Sequence, residues 1–246
     1  MRKQLRAMLV MVWFDGYLPI RRSPFNLVNF IVSPLTILFF IYIFAGPSKV
    51  VYAIGGGLVA VIVGSCIVLE TEAAFIRLVV KLQDMFVASP LSPIAYVAGL
   101  SIAQLFNGLA GIALFSILLA FGGTVNLLGA VEIASAAVLT WASVSALGFM
   151  ISTFARDVRD LWVYSPLLNV LLAFLPPVFY PITSIPEGFR VFAYLAPTTF
   201  AAQIIQQAVG LISISSSTLT LDFVGGIAYA ALLVTLAAKL SRWRQK

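Results

Sequence analysis

Six stretches of this chain, residues 27–44, 50–69, 94–121, 133–154, 161–179 and 223–238, contain no Asp, Glu, Lys or Arg. A helix needs about 20 mostly apolar residues to cross a bilayer. Each run reaches or approaches that length, and the last is extended by Lys239, whose long stem can snorkel to the interface. Backbone polar groups cannot stay unpaired in lipid, so such runs fold as helices. Only 10% of the residues are charged and 61% are hydrophobic, against roughly 25% and 45–50% in soluble domains. The chain cannot clothe a water-facing surface. The expectation is an all-α polytopic membrane protein with six transmembrane helices, one transmembrane domain over residues 1–246.

The basic residues assign its sides. Thirteen of the fifteen fall in alternate segments: Arg2, Lys3, Arg6, Arg21 and Arg22; Arg77 and Lys81; Arg156 and Arg159; Lys239, Arg242, Arg244 and Lys246. Only Lys49 and Arg190 fall on the other side. By the positive-inside rule both termini are expected in the cytoplasm. Residues 191–212 are apolar enough for a seventh crossing, but that would cut the asymmetry to nine against six. Pro197, Gln203, Gln206 and Gln207 oppose it as well. Residues 181–212 are therefore expected as an outer re-entrant helix pair. Residues 1–22 read as an interfacial helix, since Leu5, Met8, Leu9, Val12 and Trp13 share one side. They show no cleavable signal, which together with the compact size points to a prokaryotic cell membrane.

The composition excludes much chemistry. There is no histidine, and a single cysteine, Cys66, allows no internal disulfide. No Gly-Lys dipeptide occurs, so no Walker A loop exists. The six runs offer no titrating group for ion coupling. Asp157 and Asp160 stand beside Arg156 and Arg159 and read as an ion-pair patch rather than a metal site. No catalytic residue, metal site or cofactor is expected in this chain.

Uncharged polar residues recur inside the runs: Asn29, Ser33 and Thr36; Gln104 and Asn107, with Ser101, Gly108 and Gly111; Ser165 and Asn169. They are candidates for a polar path, or they serve helix packing through hydrogen bonds. Gly56, Ala60 and Gly64 form a small-residue face for packing. In the inner loop, residues 70–93, a helix is expected to continue to Asp84, kept wet by Glu70, Glu72, Arg77, Lys81 and Asp84. Pro90 and Pro93 then turn the chain back. Met85 and Phe86 leave two readings open, a solvated connector or a docking surface.

The outer side has its own pattern. From residue 161 to 175 a straight helix reaches only about 22 Å, so this run is kinked at Pro176 and Pro177 or starts earlier. Ser184 and Glu187 read as a capping box with Pro186 in the first turn. One short helix over 185–195 and another from Pro197 to near Gly210 are expected.

Three segments resemble the permease subunits of ABC-2 type transporters, often described as drug- or polysaccharide-export permeases. They are residues 84–99 (Asp-Met-Phe-Val-Ala-Ser-Pro-Leu-Ser-Pro-Ile-Ala-Tyr-Val-Ala-Gly), 177–187 (Pro-Val-Phe-Tyr-Pro-Ile-Thr-Ser-Ile-Pro-Glu) and 195–200 (Leu-Ala-Pro-Thr-Thr-Phe). Their order relative to the runs carries the likeness over nearly the whole chain. Leu175 and Pro176 stand where that family often has Ser-Gly, and Gln206 and Gln207 stand near a frequent arginine. The resemblance implies a homodimer in membrane lipid, each copy docking a separate cytoplasmic ATPase that holds the ATP and magnesium. It makes the 70–93 loop a coupling helix, with Arg77, Lys81, Asp84, Met85 and Phe86 as candidate ATPase contacts. Pro177, Pro181, Pro186 and Pro197 would shape the outer exit. No nucleic-acid partner is implied. Two rivals remain, a membrane scaffold that recruits a cytoplasmic complex and a lone carrier without ATP coupling.

Overall fold

The computed structural model describes residues 2–88, 91–121 and 125–240; the side chains of Asn29 and Asp84 lie outside the described residues. Among these residues every regular element is a helix. The N-terminal segment comprises α1 (Arg2–Met11), a wide π-helical turn (Val12–Tyr17) and α2 (Leu18–Arg22). Next come α3 (Asn26–Ala45), α4 (Val50–Ile67), α5 (Leu69–Leu78) and α6 (Leu82–Ala88). Then follow α7 (Pro93–Phe121), α8 (Leu127–Phe154), α9 (Val158–Asn169), α10 (Arg190–Ala193), α11 (Pro197–Ala208) and α12 (Ser216–Leu240). Among the described residues, four helices are long and apolar enough to cross a membrane: Pro47–Leu78, which contains α4 and α5, and then α7, α8 and α12.

Helix α4 is the hub. It is apolar on every side because α3, α7, α8 and α11 surround it. Ala53, Val63 and Cys66 have no solvent exposure. Its glycines admit its neighbours. A Cβ at Gly57 would stand 2.2 Å from the buried Phe115 ring of α7, and one at Gly56 would stand 2.7 Å from the Val178 carbonyl oxygen. Gly108 and Gly111 of α7 likewise face Ser65 and Val61 of α4. These small residues are packing surface, as expected for Gly56.

Several helix ends differ from the sequence reading. Helix α8 begins at Leu127, because Asn126 caps it by accepting the Gly129 amide at 2.7 Å. Helix α12 begins at Ser216 and so takes in Asp222. The short fifth run is resolved by an earlier start and a wide turn. Asp157 caps α9, accepting the Arg159 amide at 2.9 Å, and a π-helical stretch (Val170–Phe174) follows. The Arg159 amide and guanidinium hold the exposed Asp157 carboxyl below its usual range.

Three expectations are corrected. The helix through Asp84 is broken after Leu78, and Lys81 takes a left-handed backbone (φ 58°) before α6. The capping box does not form, because Ser184 ends one 3-10 turn (Ile182–Ser184) and extended Pro186 leads into another (Glu187–Phe189). The single helix over 185–195 is therefore that turn followed by α10. The N-terminal segment packs against the bundle. It runs beside the first half of α7, with Gln4 at Ser92, Met11 at Gly99 and Gly16 at Ala103.

Candidate functional site

A cavity of about 320 Å³ opens between α3, α4 and α9. Ser33 and Pro34 line it from α3, Gly64 and Ile67 from α4, and Ser165, Pro166 and Asn169 from α9. Gly64 leaves the gap, since a Cβ there would meet the Asn169 amide only at 3.6 Å. Three polar residues from two separate runs, Ser33 of α3 and Ser165 and Asn169 of α9, are thus brought together. Thr36 is not among them, because its hydroxyl donates to the Val32 carbonyl at 2.8 Å on the exposed side of α3. Gln104 and Asn107 do not line the cavity either. The Asn107 amide donates to Gln104 Oε1 at 3.0 Å, and Gln104 is buried.

Sequence reasoning missed Glu70. Its charge groups it with the water-facing residues of the inner loop, yet it has no solvent exposure. The Ser165 hydroxyl donates to its Oε1, and Thr71 Oγ1 lies 3.4 Å from the same hydroxyl. Its Oε2 has no partner among the described residues. Ser165 therefore stands between the cavity and a buried carboxyl. The available signal was helical spacing, since Glu70 lies one turn after buried Cys66 and one turn before buried Ala74.

The far end of the bundle is tied by amides. Gln203 Nε2 donates to Asp222 Oδ1 at 3.2 Å and to the Tyr194 hydroxyl at 3.1 Å. Gln206 Nε2 donates to the carbonyls of Pro177 (2.9 Å) and Tyr180 (3.2 Å), and the Ile214 amide donates to Gln207 Oε1 at 3.0 Å. Pro197 starts α11, which is buried between α8, α12 and α4. Pro181 and Pro186 precede the two 3-10 turns. A second cavity, about 550 Å³, lies between this segment and α9, lined by Leu171, Leu175, Tyr180 and Phe192. Asp222 was also missed, because a run defined by the absence of charge starts at residue 223, whereas α12 starts at Ser216.

At the opposite end the Arg77 guanidinium donates to three carbonyls, of Ser152 (2.6 Å), Ala155 (2.8 Å) and Thr153 (3.1 Å). These close the C-terminus of α8, where helix carbonyls lack partners and a cation is favoured. Lys81 is exposed, and Met85 is 68% exposed. Phe86 instead turns inward onto Tyr96, ring centroids 5.4 Å apart. Of Met85 and Phe86, only Met85 is thus presented outward.

The sequence pattern of the ABC-2 type transporter family matches residues 7–209. The chain belongs to the ABC-2 type transporter family. No individual curated protein matches it. Membership makes it a multi-pass membrane permease component of an ABC transporter, not itself catalytic. The matched region of this ABC-2 permease runs from α1 through α11 and includes the polar cavity, Arg77 and the glutamines of α11. Asp222 lies beyond it.

Proposed function

We propose that this chain is the membrane-spanning subunit of an ATP-driven exporter, working as a pair of identical copies with a separate cytoplasmic ATPase that carries ATP and magnesium. Helices α3, α4, α7, α8, α9 and α12 make six crossings in a prokaryotic cell membrane, with both termini inside. Residues 181–212 form the outer re-entrant segment. The observation that carries this reading is the helix Pro47–Leu78, whose two ends serve different machinery. Near its start Tyr52 donates to the Leu211 carbonyl at 3.2 Å, beside α11. Near its finish Arg77 holds α8, and α6 follows. From Tyr52 to Arg77 the helix rises roughly 38 Å, more than the roughly 30 Å hydrocarbon core. A displacement of α6 is thereby passed to the far side through α5 and α4 in succession. Lys81 and Met85 face the ATPase, with Asp84 adjacent to Met85 in the sequence, while Arg77 and Phe86 hold the docking element in place. Ser33, Ser165 and Asn169 belong to the substrate path.

Purifying the tagged protein in mild detergent with its co-expressed neighbours tests this. One ATPase per chain with vanadate-sensitive hydrolysis is expected. A well-folded permease that retains none would refute it. A second reading, a carrier driven by an ion gradient alone, has one observation in its favour: buried Glu70 and Asp222 supply carboxyls inside the bundle. Transport into vesicles lacking ATP separates the two.

A further inference from the structure

Glu70 is a buried carboxyl without a counter-charge. It has no solvent exposure, and its Oε2 has no partner among the described residues. The ion pairs among those residues join Arg159 to Asp157 and Arg190 to Glu187, so none of the described Lys or Arg side chains neutralises Glu70. A carboxylate taken out of water is costly unless it is paired.

Ser165 ties this carboxyl to the cavity between α3, α4 and α9. Its hydroxyl donates to Glu70 Oε1, and the residue itself lines the cavity. An ionised carboxylate only accepts hydrogen bonds, and a serine hydroxyl has one proton. That proton is committed to Glu70, so Ser165 Oγ can only accept from the cavity. The backbone adds further acceptors. Pro34 of α3 and Pro166 of α9 both line the cavity. Proline has no N–H, so the carbonyls four residues earlier, of Phe30 and Trp162, lose their helical donors. Phe30 lines the cavity as well. A carbonyl freed inside a membrane needs another donor. The Ser33 hydroxyl and the Asn169 amide can each donate and accept, so they do not reverse this excess. Among the described residues the lining has no charged side chain of its own.

We propose that this cavity binds the protonated amino group of a small amphipathic amine, with Ser165 accepting from it and Glu70 supplying the counter-charge. This substrate class rests on the assignment of the cavity to the substrate path. An ammonium bonded to Ser165 lies within about 5–6 Å of the carboxyl, two hydrogen-bond lengths, where each charge favours the other. Its three N–H donors match the surplus of acceptors. The volume of about 320 Å³ is at the small end of the roughly 300–1,000 Å³ that ligand pockets span. With Ile67 and Phe174 in the wall, it suits an apolar body of one or two rings rather than a whole phospholipid.

Equilibrium dialysis of the purified full-length permease in detergent, with no ATPase present, tests this at neutral pH. The probes are 1-naphthylmethylamine, which is protonated there, and its neutral isostere 1-naphthylmethanol. The amine should bind saturably, one per chain, and about tenfold more tightly than the alcohol, the margin of a charged over a neutral hydrogen bond. Glu70→Gln should bring the amine down to the affinity of the alcohol. Gly64→Ala, which narrows the cavity, should weaken both probes. Equal affinity for the two probes in the parent would overturn the proposal. So would an amine preference that survives Glu70→Gln, or binding that Gly64→Ala leaves untouched. Displacement of the probe by phosphatidylethanolamine, and not by phosphatidylcholine, would mean that a lipid headgroup fills the cavity and would overturn the small amine. If Glu70→Gln does not fold, 1-naphthoate and the parent protein decide. Affinity falling from amine to alcohol to carboxylate supports the site, and a flat series refutes it. Amine binding by a permease that retains no ATPase would keep the site and remove the exporter, whereas loss of the amine preference alone would remove the amine and keep the exporter.

Discussion

The Arg77 guanidinium reaches the Ser152 carbonyl oxygen at 2.6 Å, joining the end of α5 to the end of α8. With Thr153 and Ala155 it satisfies three carbonyls at once. Hydrogen bonds to charged groups contribute about 1.5–3 kcal/mol each at most, and they share one side chain here. Arg77→Ala should therefore cost about 2 kcal/mol in detergent unfolding. Arg77→Lys should recover only part, because an ammonium lacks the planar fork that spans several carbonyls. Equal stability of Arg77→Ala and the parent would show that the clamp carries no load.

Ser165 and Glu70 form the other junction, between α9 and the start of α5. Removing only the hydroxyl strands a buried carboxyl, at a cost of about 1–3 kcal/mol. Ser165→Ala should destabilise by that amount. Glu70→Gln should restore much of the loss in the Ser165→Ala background, since a neutral amide is cheaper to bury without a partner. A double-mutant cycle by thermal unfolding reads the coupling. Strict additivity would show that the two side chains do not act as a pair.

These two junctions also mark where the sequence was legible. The interior of each long helix was plain, because uncharged runs of that length have one stable fold in lipid. The ends were less plain. Asn126 and Asp157 set helix starts earlier than hydropathy did, since a cap is a local hydrogen bond and not an apolar residue. Glu70 was misread because charge alone suggested water, whereas burial depended on α9, far away in sequence, supplying a hydroxyl. Ser33 on one helix, and Ser165 and Asn169 one turn apart on another, were legible as polar positions. Their convergence depended on Gly64, whose lack of a side chain is a fact about three helices at once.

Gly57 and Gly64 lie on one helix with opposite consequences. A methyl group at Gly57 would enter the Phe115 ring, and overpacking of this kind costs about 1–3 kcal/mol. Gly57→Ala should lower the unfolding temperature, and Phe115→Leu should recover part of the loss. Gly64→Ala meets only ordinary contacts and should fold normally. Its methyl narrows the polar cavity instead, so transport should fall while stability holds. A transport rate unchanged in Gly64→Ala would remove that cavity from the path.

Asp15 gives the N-terminal segment a pH response. Burial, with the nearby charge of Glu72, raises its carboxyl from 3.8 to about 6. The folded chain therefore holds this proton where the unfolded chain releases it. Stability falls as pH rises from about 4 through 6, and it is greatest below that window. The reporter is Trp13, whose ring lies 4.4 Å from that of Tyr17. Its fluorescence, with the other tryptophans replaced, should titrate with a midpoint near 6. Asp15→Asn should remove the transition and strengthen docking at neutral pH. A transition that survives in Asp15→Asn belongs to another group.

Lys81 separates docking charge from chain geometry. Its left-handed backbone (φ 58°) costs an ordinary residue roughly 1–2 kcal/mol, and glycine avoids that cost. Lys81→Gly should thus keep or slightly raise stability, because the turn between α5 and α6 is preserved. If the side chain meets the ATPase, Lys81→Gly and Lys81→Glu should both lose stimulation of ATP hydrolysis, the reversal more completely. Met85→Asp should behave the same way, since its side chain touches little of its own subunit and a carboxylate there spoils only an apolar contact with a partner. The measurement is vanadate-sensitive hydrolysis by the purified complex, alongside unfolding temperature. Full stimulation by folded Lys81→Glu and Met85→Asp proteins would move the docking surface away from α6. Loss of stimulation in Lys81→Glu alone would leave charge as the recognition element and make Met85 a bystander.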